Sequence, residues 1–387
     1  MAGIHGLLFM EGFHEEEEEV VPRRTRKLRT RADPMKLYNE REFKRRFRMT
    51  KDNVLRLSNL IKHHLEKENN RGHPLLPLQQ LLLCLHHLGS ASFQRATGDT
   101  MGVTQFGAWV SIVRVYDAIL LLEPDFLTFP DAAEQAGTAM RMLERFKIPR
   151  LSLAIDGTHI RFEEAPRGFP DNLHTKKMYT NRKNYDSINL MVIANDRRIC
   201  AIDSRWPGSA HDSRVWNMCS AKPIIEEQND YFIVGDSAYG ISEVLTKPFS
   251  ERELNNEVDQ ARRRQKILFN RRLCGARTVM SENIYATLKR RWPVLKNMRH
   301  HMKLAQKAIK VVCILENICR EWNDDLPEDE EDIADDNGDN TDNRRDNDGA
   351  EDRELQKIRG KAKRLHLLGS ITKLHNCVRG RGGWVPK

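Results

Sequence analysis

Two hydrophobic periods divide the chain near residue 150. From 36 to about 145 apolar residues recur at helical spacing, and the clearest stripe follows the candidate N-cap Thr50 and consists of Val54, Leu57, Ile61 and Leu65. Between 150 and 240 the apolar runs are short and rich in Ile, Val and Leu, which is typical of strands. Residues 281 to 322 return to helical spacing. The pattern predicts an all-α region followed by an α/β region.

The strand-like part contains four runs, which are LSLAIDGTHIRF, SINLMVIAND, RICAIDSRW and YFIVGD. Asn195 to Arg198 lie where a hairpin turn is expected, and SAHDSRVWNMC predicts a helix between the third and fourth strands. Three antiparallel strands, a helix and a fourth strand predict a mixed sheet with flanking helices, of the ribonuclease H-like class.

The end of the all-α region has the outline of a helix-turn-helix. In SFQRATGDTMGVTQFGAWVSIVRVYDAILLL a short helix, a glycine-containing turn and a longer helix capped by Thr104 follow one another. The longer helix carries the candidate DNA-binding residues Gln105, Trp109 and Arg114. The alternative is an ordinary helical bundle that packs against the next domain.

Charge changes sharply toward the C-terminus. Residues 324–352 carry fifteen Asp and Glu and two Arg, a net −13, which leaves +22 on the rest of a chain whose total is +9. So basic a remainder suits a polyanionic partner, because Lys and Arg displace the counterions of phosphates. Solubility alone is the alternative reason for the charge.

These shifts in pattern and charge predict four parts of the chain. The first, 1–35, is a disordered arm in which an acidic run precedes the basic segment PRRTRKLRTR. This basic segment is a nuclear-import signal, a DNA-tracking arm or simply a solvated tail. The second, 36–145, is the helical region with the helix-turn-helix, and the third, 146–322, is the catalytic domain. The last, 323–387, is a disordered acidic linker and basic tail, and for its basic part, 353–387, a short helix followed by a flexible tail is the alternative.

Cysteine usage and hydropathy indicate where the protein works. The seven cysteines form no CxxC pair and mostly lie in apolar stretches, which favours reduced, buried thiols and no zinc site. No stretch approaches eighteen apolar residues and the N-terminus does not resemble a signal peptide, so we expect no membrane partner. We expect the protein in the nucleus and also in the cytoplasm.

Three acidic residues carry the candidate chemistry. Asp156 and Asp236 each end a short apolar strand run, and Glu282 opens an amphipathic helical run that includes Lys289, Arg290 and Arg291. Carboxylates gathered at a sheet can bind two Mg²⁺ or Mn²⁺ ions about 4 Å apart and cut a phosphodiester bond. We expect Asp156 to bridge the ions and the three basic residues to meet backbone phosphates.

Each acid also has an ordinary structural interpretation. An Asp after a strand is commonly a turn former or helix cap, and a Glu early in a helix favours the positive end of the dipole. His211 and Asp212 in WPGSAHDSRVW are candidates for a supporting role beside the metal ligands, or for a helix cap. No phosphate-binding loop, dinucleotide fingerprint or GxSxG elbow occurs, so nucleotide hydrolysis and serine-hydrolase chemistry lack support.

Five linked motifs then occur in order, which are LAIDGTHI, NRKNYDSINLMVIAND, WPGSAHDSRVW, VGDSAYG and ENIYATLKRRWPVL. With them the chain resembles the PIF/Harbinger transposases and the Harbinger transposase-derived nucleases over about residues 47–322. The resemblance implies a ribonuclease H-like domain, an upstream helix-turn-helix and an aspartate-aspartate-glutamate triad at Asp156, Asp236 and Glu282. It further implies DNA cleavage with Mg²⁺ or Mn²⁺, and a Myb-like partner protein that assists DNA binding and nuclear entry.

The chain departs from the family pattern at several positions. Tyr285-Ala286 stands where Phe-Gly is usual, Trp292 replaces a Phe, and Leu315-Glu316-Asn317 stands where Leu-His-Asn is common. The triad itself is complete. We therefore expect a metal-dependent DNA endonuclease of transposase origin, with water or a 3′-hydroxyl as nucleophile and strand transfer and homo-oligomerisation left open. The alternative is a domesticated DNA-binding or adaptor protein without turnover.

Overall fold

Helices fill the chain up to the first strand. The computed structural model describes residues 30–67, 73–163, 177–227, 230–326 and 357–371. Its first helices are α1 Pro34–Leu37, α2 Glu40–Phe47, α3 Lys51–Leu65, α4 Pro77–Ser90, α5 Gln94–Thr100, α6 Gln105–Leu120, α7 Glu123–Phe126 and α8 Ala132–Phe146. Thr50 and Thr104 accept backbone N–H groups at the starts of α3 and α6, so both predicted N-caps are confirmed.

A five-stranded mixed sheet follows. Its strands are β1 Leu151–Arg161, β2 Ser187–Ala194, β3 Ile199–Pro207, β4 Phe232–Val234 and β5 Leu245–Thr246, in the order β3-β2-β1-β4-β5. The β1–β2 and β2–β3 pairs are antiparallel, whereas β1–β4 and β4–β5 are parallel. The predicted mixed α/β sheet is confirmed, and β5, only two residues long, had no signal in the pattern.

The remaining helices cover the sheet. They are α9 Asp212–Asn217, α10 Ala221–Glu227, α11 Glu251–Asn255, α12 Gln260–Arg277, α13 Asn283–Arg291 and α14 Met302–Glu321, with α15 at 357–371. A π-helical turn, Thr278–Glu282, joins α12 to α13 without a break. The helical segment therefore begins at Gln260, about twenty residues before the predicted start at 281. The buried stripe of α12 is narrow and lies among many arginines, and it consists of Lys266, Phe269, Leu273 and Ala276.

Two segments of the C-terminal part pack against the rest of the fold. Helix α15 buries Leu367, Leu368 and Ile371 in a core shared with β4 and α12. Asp324 is also buried and accepts hydrogen bonds from the backbone and hydroxyl of Thr50. The rest of the predicted disordered parts, 1–29, 327–356 and 372–387, lie outside the described residues, as does Cys377.

One hydrophobic core joins the helices to the sheet. It runs from α2, α3, α4 and α6 to the side chains of β2 and α14, and α14 packs against both α6 and β3. A separate cluster covers the other face of the sheet, where Val215, Trp216 and Ile225 pack on β1 and β2. Within the described ranges no helix is both long and apolar enough to cross a membrane. The predicted domain boundary at 145/146 stays a prediction.

A buried ion pair ties α13 to α14. Arg291 and Glu316 are 3% and 0% exposed, and the guanidinium Nε lies 3.2 Å from the carboxylate Oε2. Arg291 also donates to the backbone carbonyls of Arg48 and Asp324. The glutamate that departs from the family pattern is thus the partner of a buried arginine. Arg291 and the buried Lys289 face the interior, which corrects the prediction that they meet DNA phosphates.

We predict that Glu316→Ala lowers the free energy of unfolding by about 3–5 kcal/mol, because it leaves the Arg291 charge buried without its partner. Chemical denaturation of the purified variant measures the loss. The control is Glu321→Ala on the exposed side of the same helix, which should change stability by less than about 0.5 kcal/mol. Equal, small effects of the two substitutions would show that the buried pair does not stabilise the helix junction.

Candidate active site

Asp156 lies in the middle of the central strand. β1 continues to Arg161, so this aspartate does not end its strand as the pattern suggested. It sits opposite Val192 on β2. Its Oδ1 accepts the backbone N–H of Gly157 at 3.0 Å, and its own carbonyl accepts the hydroxyl of Tyr285 at 2.6 Å. Backbone and side chain are therefore both held in place.

Asp236 reaches the same face of the sheet from the neighbouring strand. Ala154 of β1 is in parallel register with Val234 of β4, and both belong to the core beneath α12. Asp156 and Asp236 each lie two residues further along, and alternation returns the second residue of a strand to the same face. Asp236 follows the end of β4, as predicted, and its Oδ1 accepts the N–H of Ala238 at 2.9 Å.

Glu282 comes from the helical layer above that face. It is the last residue of the π turn, which packs on β1 through the buried Met280 and Ser281. One carboxylate oxygen of Glu282 accepts Nη2 of Arg277 at 2.6 Å, and the other accepts the hydroxyl of Thr278 at 2.8 Å. Ser281 donates to Oδ2 of Asp156 at a long 3.5 Å, which links the turn to the strand.

The three acids act on one another electrostatically. Burial raises the pKa of Asp156 to about 7, the positive charge of Arg277 opposes that rise, and the carboxylates of Asp236 and Glu282 add to it. The structure thus brings the three predicted acids into one charged cluster. A strongly perturbed acid beside a specific charged partner is a common property of functional sites.

Asp212 lies at the edge of this cluster, whereas His211 turns away from it. A Cβ on Gly157, next to Asp156, would meet Oδ1 of Asp212 at 2.7 Å, and that oxygen accepts the side-chain amide of Asn189 at 2.8 Å. Nδ1 of His211 lies 2.6 Å from a guanidinium nitrogen of Arg182. His211 is the N-cap residue of α9, but its side chain makes no capping hydrogen bond, so the ring does not act as a helix cap.

Sequence reasoning missed Arg277, Asn189 and Tyr239. Tyr239 is 1% exposed, and its hydroxyl has no hydrogen-bond partner in the part of the chain that the structure describes. Burial raises its pKa well above the ordinary value, with the carboxylates of Asp212 and Asp156 adding to the rise. The spacing of residues in the sequence gives no signal for Arg277, Asn189 or Tyr239, although the tyrosine belongs to the motif VGDSAYG.

The donor chemistry fits a hard divalent ion, because carboxylate oxygens are the ligands that Mg²⁺ and Mn²⁺ prefer. Across the described ranges, however, no three His, Cys, Asp or Glu side chains are arranged as a ready metal site. Both oxygens of Glu282 are also engaged, by Arg277 and Thr278. An ion would have to exchange places with those donors.

The candidate DNA-binding residues of α6 differ in exposure. Gln105 and Trp109 are exposed near its start, and Trp109 lies beside the ring of Phe106. Arg114 instead donates to the carbonyls of His64 and Glu66 at the end of α3, so its guanidinium holds a helix terminus. Arg290 is half-buried on α13.

We predict that Asp156→Asn stabilises the metal-free protein at pH 8. A folded-state pKa near 7, against 3.8 ordinarily, means that ionising Asp156 destabilises the fold increasingly from about pH 4 to pH 7. At about 1.4 kcal/mol per pKa unit the gain reaches about 4 kcal/mol at most, and it should shrink as the pH falls toward 4. Thermal unfolding in EDTA measures it, with Asp117→Asn on exposed α6 surface as control. A variant less stable than wild type at pH 8 would contradict the assigned repulsion.

Comparisons with known proteins agree with this geometry. Residues 155–317, which include all three acids, match the model of the family described as "DDE superfamily endonuclease". The chain is 25% identical over 280 residues to "Putative nuclease HARBI1" of Rattus norvegicus and 24% identical over 280 residues to its human counterpart, covering 70% of this chain and 75% of each relative. No solved structure matches the chain. The resemblance to the Harbinger transposase-derived nucleases is therefore confirmed, and residues 155–317 are similar to the DDE superfamily endonucleases.

Proposed function

We propose that the protein is a metal-dependent DNA endonuclease of transposase origin, with a ribonuclease H-like catalytic domain. The observation that carries the proposal is the meeting of Asp156, Asp236 and Glu282 from a central strand, its parallel neighbour and the π turn above them. The strand order β3-β2-β1-β4-β5, with the first three strands antiparallel, supports the fold assignment. The family match over 155–317 supports the reaction class.

The three acids have distinct tasks in this proposal. When bound, two divalent ions polarise the scissile phosphate and lower the pKa of the attacking water or 3′-hydroxyl. Asp156, Asp236 and Glu282 would be the carboxylates that hold the ions. The hydroxyl of Tyr285 donates to the backbone carbonyl of Asp156, and the amide of Asn189 donates to Asp212. Strand transfer would use the same site with a 3′-hydroxyl as nucleophile.

Helix α12 offers a path for the DNA backbone toward the acids. It carries six Arg and one Lys and no acidic residue, and it runs directly into the π turn with Glu282. Arg264 and Arg271 are exposed and seven residues apart, so they share a face that continues to Thr278. At 1.5 Å per residue this face is about 21 Å long, close to the length of six base pairs.

A helix-turn-helix at α5 and α6 would supply a second contact through Gln105 and Trp109, since both are exposed at the start of α6. The Myb-like partner, nuclear localisation and self-association belong to the proposal as expectations from the family. The basic segment PRRTRKLRTR that suggested nuclear entry lies almost wholly outside the described residues.

One observation favours the second candidate function, a DNA-binding adaptor without turnover. Glu282 is engaged by Arg277 and Thr278, and a site that kept this arrangement would bind DNA without cutting it. The two candidates differ in whether divalent ions and DNA can release Glu282.

We predict that the wild-type protein nicks supercoiled plasmid with Mg²⁺ or Mn²⁺, and that Asp156→Ala or Asp236→Ala reduces nicking at least about 100-fold. Loss of groups that only support metal ligands costs about 10- to 100-fold, so loss of a ligand should cost more. Asp117→Ala, an exposed acid on α6, is the matched control and should nick as wild type does. Trace nicking of equal size by wild type and both site variants would favour the adaptor.

We also predict that Arg264→Ala/Arg271→Ala weakens DNA binding and lowers the slope of log K against log salt by about two, one phosphate contact for each arginine. Fluorescence anisotropy with duplex DNA in EDTA measures both quantities. Lys36→Ala/Lys303→Ala removes two exposed charges from other helices and should leave the slope unchanged. An unchanged slope in the arginine variant would exclude α12 as the DNA path.

A further inference from the structure

Arg277 and Glu282 face each other only because of the π turn. Side chains three or four apart are neighbours on an α-helix, and those five apart are not. The π turn closes i→i+5 bonds, and the N–H of Asn283 indeed donates to the carbonyl of Thr278. This widened turn brings Nη2 of Arg277 to 2.6 Å from Oε1 of Glu282.

The guanidinium of Arg277 also lies within the field of the other two acids. Burial alone would lower the pKa of Arg277, but the carboxylates of Asp156, Glu282 and Asp236 raise it above its ordinary value. Lys247 also lies in the field of Asp236, but its ammonium donates to the carbonyls of Ser237 and Tyr239. Arg277 interacts electrostatically with all three carboxylates.

This arginine is not fully satisfied where it lies. Its Nε is buried and has no hydrogen-bond partner within the ranges described. A guanidinium in a finished structural ion pair usually uses its donors in a bidentate fork, whereas only Nη2 of Arg277 is bonded to Glu282. A group held mainly by charge can exchange one set of anions for another.

We propose that Arg277 is the resident counter-ion of the metal site, and that a DNA phosphate must draw it away before Glu282 can bind a divalent ion. The inference rests on the proposed function. Arg277 is a positioning residue here, because it acts through Glu282. Its guanidinium and a divalent ion compete for the same carboxylates, so the DNA-free protein binds metal weakly. A phosphate arriving along α12 is the natural new partner for the guanidinium, since arginine pairs with phosphate as readily as with carboxylate.

The arrangement couples the two ligands of the site. DNA raises the affinity for metal by releasing Glu282, and by thermodynamic reciprocity metal raises the affinity for DNA. Metal-dependent chemistry is thereby suppressed until substrate is present. Removing the guanidinium should uncouple the two binding events.

The test is the Mn²⁺ affinity of the full chain, measured from the electron paramagnetic resonance signal of free Mn²⁺, with and without duplex DNA. Without DNA, Arg277→Gln should bind Mn²⁺ at least about 10-fold more tightly than wild type, a difference of about 1.4 kcal/mol. Arg277→Lys, which keeps the charge, should stay within about threefold of wild type. Lys303→Gln, which removes an exposed cation from α14 outside the proposed site and DNA path, should match wild type without DNA. Adding DNA should tighten Mn²⁺ binding by wild type and leave that of Arg277→Gln unchanged.

Equal Mn²⁺ affinities of wild type and Arg277→Gln would overturn the inference and leave the proposed metal site standing. Weaker binding by Arg277→Gln would overturn it as well, because the arginine would then assist the metal. Asp156→Ala should abolish the binding. Absence of Mn²⁺ binding by wild type, Arg277→Gln and Arg277→Lys alike, with or without DNA, would contradict both the inference and the metal-dependent function. Far-ultraviolet circular dichroism of each variant confirms that the fold is intact.

Discussion

Three carboxylates cannot be held close together in a half-buried place without a positive charge among them. Burial and mutual repulsion both destabilise the charged forms, and the pKa of Asp156 is raised mainly by its burial, with the carboxylates of Asp236 and Glu282 adding to the rise. Here the compensating charge is the guanidinium of Arg277. The need for a cation at this point suits the cluster to the metal and phosphate chemistry that we propose for it.

The scaffold keeps the acids together against that repulsion. Parallel pairing of β1 and β4 ends at Ala154 and Val234, two residues before Asp156 and Asp236, so the sheet brings the chain to both aspartates along neighbouring strands. The helical layer is held down by the Tyr285 hydroxyl on the carbonyl of Asp156, and further along by the buried pair of Arg291 and Glu316. Tyr285 and Glu316, two positions at which the chain departs from the pattern of the family that it resembles, thus each have a contact in the structure. Asp156 lies within a strand and Glu282 within a helical turn, whereas Asp236 lies just past the end of β4.

The parts of the site that depend on strand periodicity could be predicted from sequence. Asp156 and Asp236 follow runs whose β character is plain, and Glu282 precedes a helical stripe. The π turn could not be predicted, since nothing in TVMSE distinguishes it from an ordinary helical turn. Because the π turn could not be predicted, the contact between Arg277 and Glu282 could not be predicted either.

Buried charges were the main source of error. Lys289 and Arg291 look like surface residues in KRRW, and their burial depends on partners far along the chain, such as Glu316 and Asp324. Helix α12 was missed because its apolar stripe is narrow, and a short helix in 353–387 was expected only as an alternative, without the core contacts of α15. In each case the structure depends on a contact between segments that are distant in the sequence. The local pattern of hydrophobic and polar residues does not indicate such contacts.

The claim that one metal centre unites the three acids can be tested by replacing Mg²⁺ with Fe²⁺ and adding ascorbate and peroxide in the presence of DNA. Hydroxyl radicals formed at the bound ion cut only the polypeptide nearby, and mass spectrometry locates the cuts. The account predicts cuts in the middle of β1, just after β4 and in the π turn, all suppressed together by excess Mg²⁺. Cuts confined to one of these segments, or unaffected by Mg²⁺, would contradict a shared site.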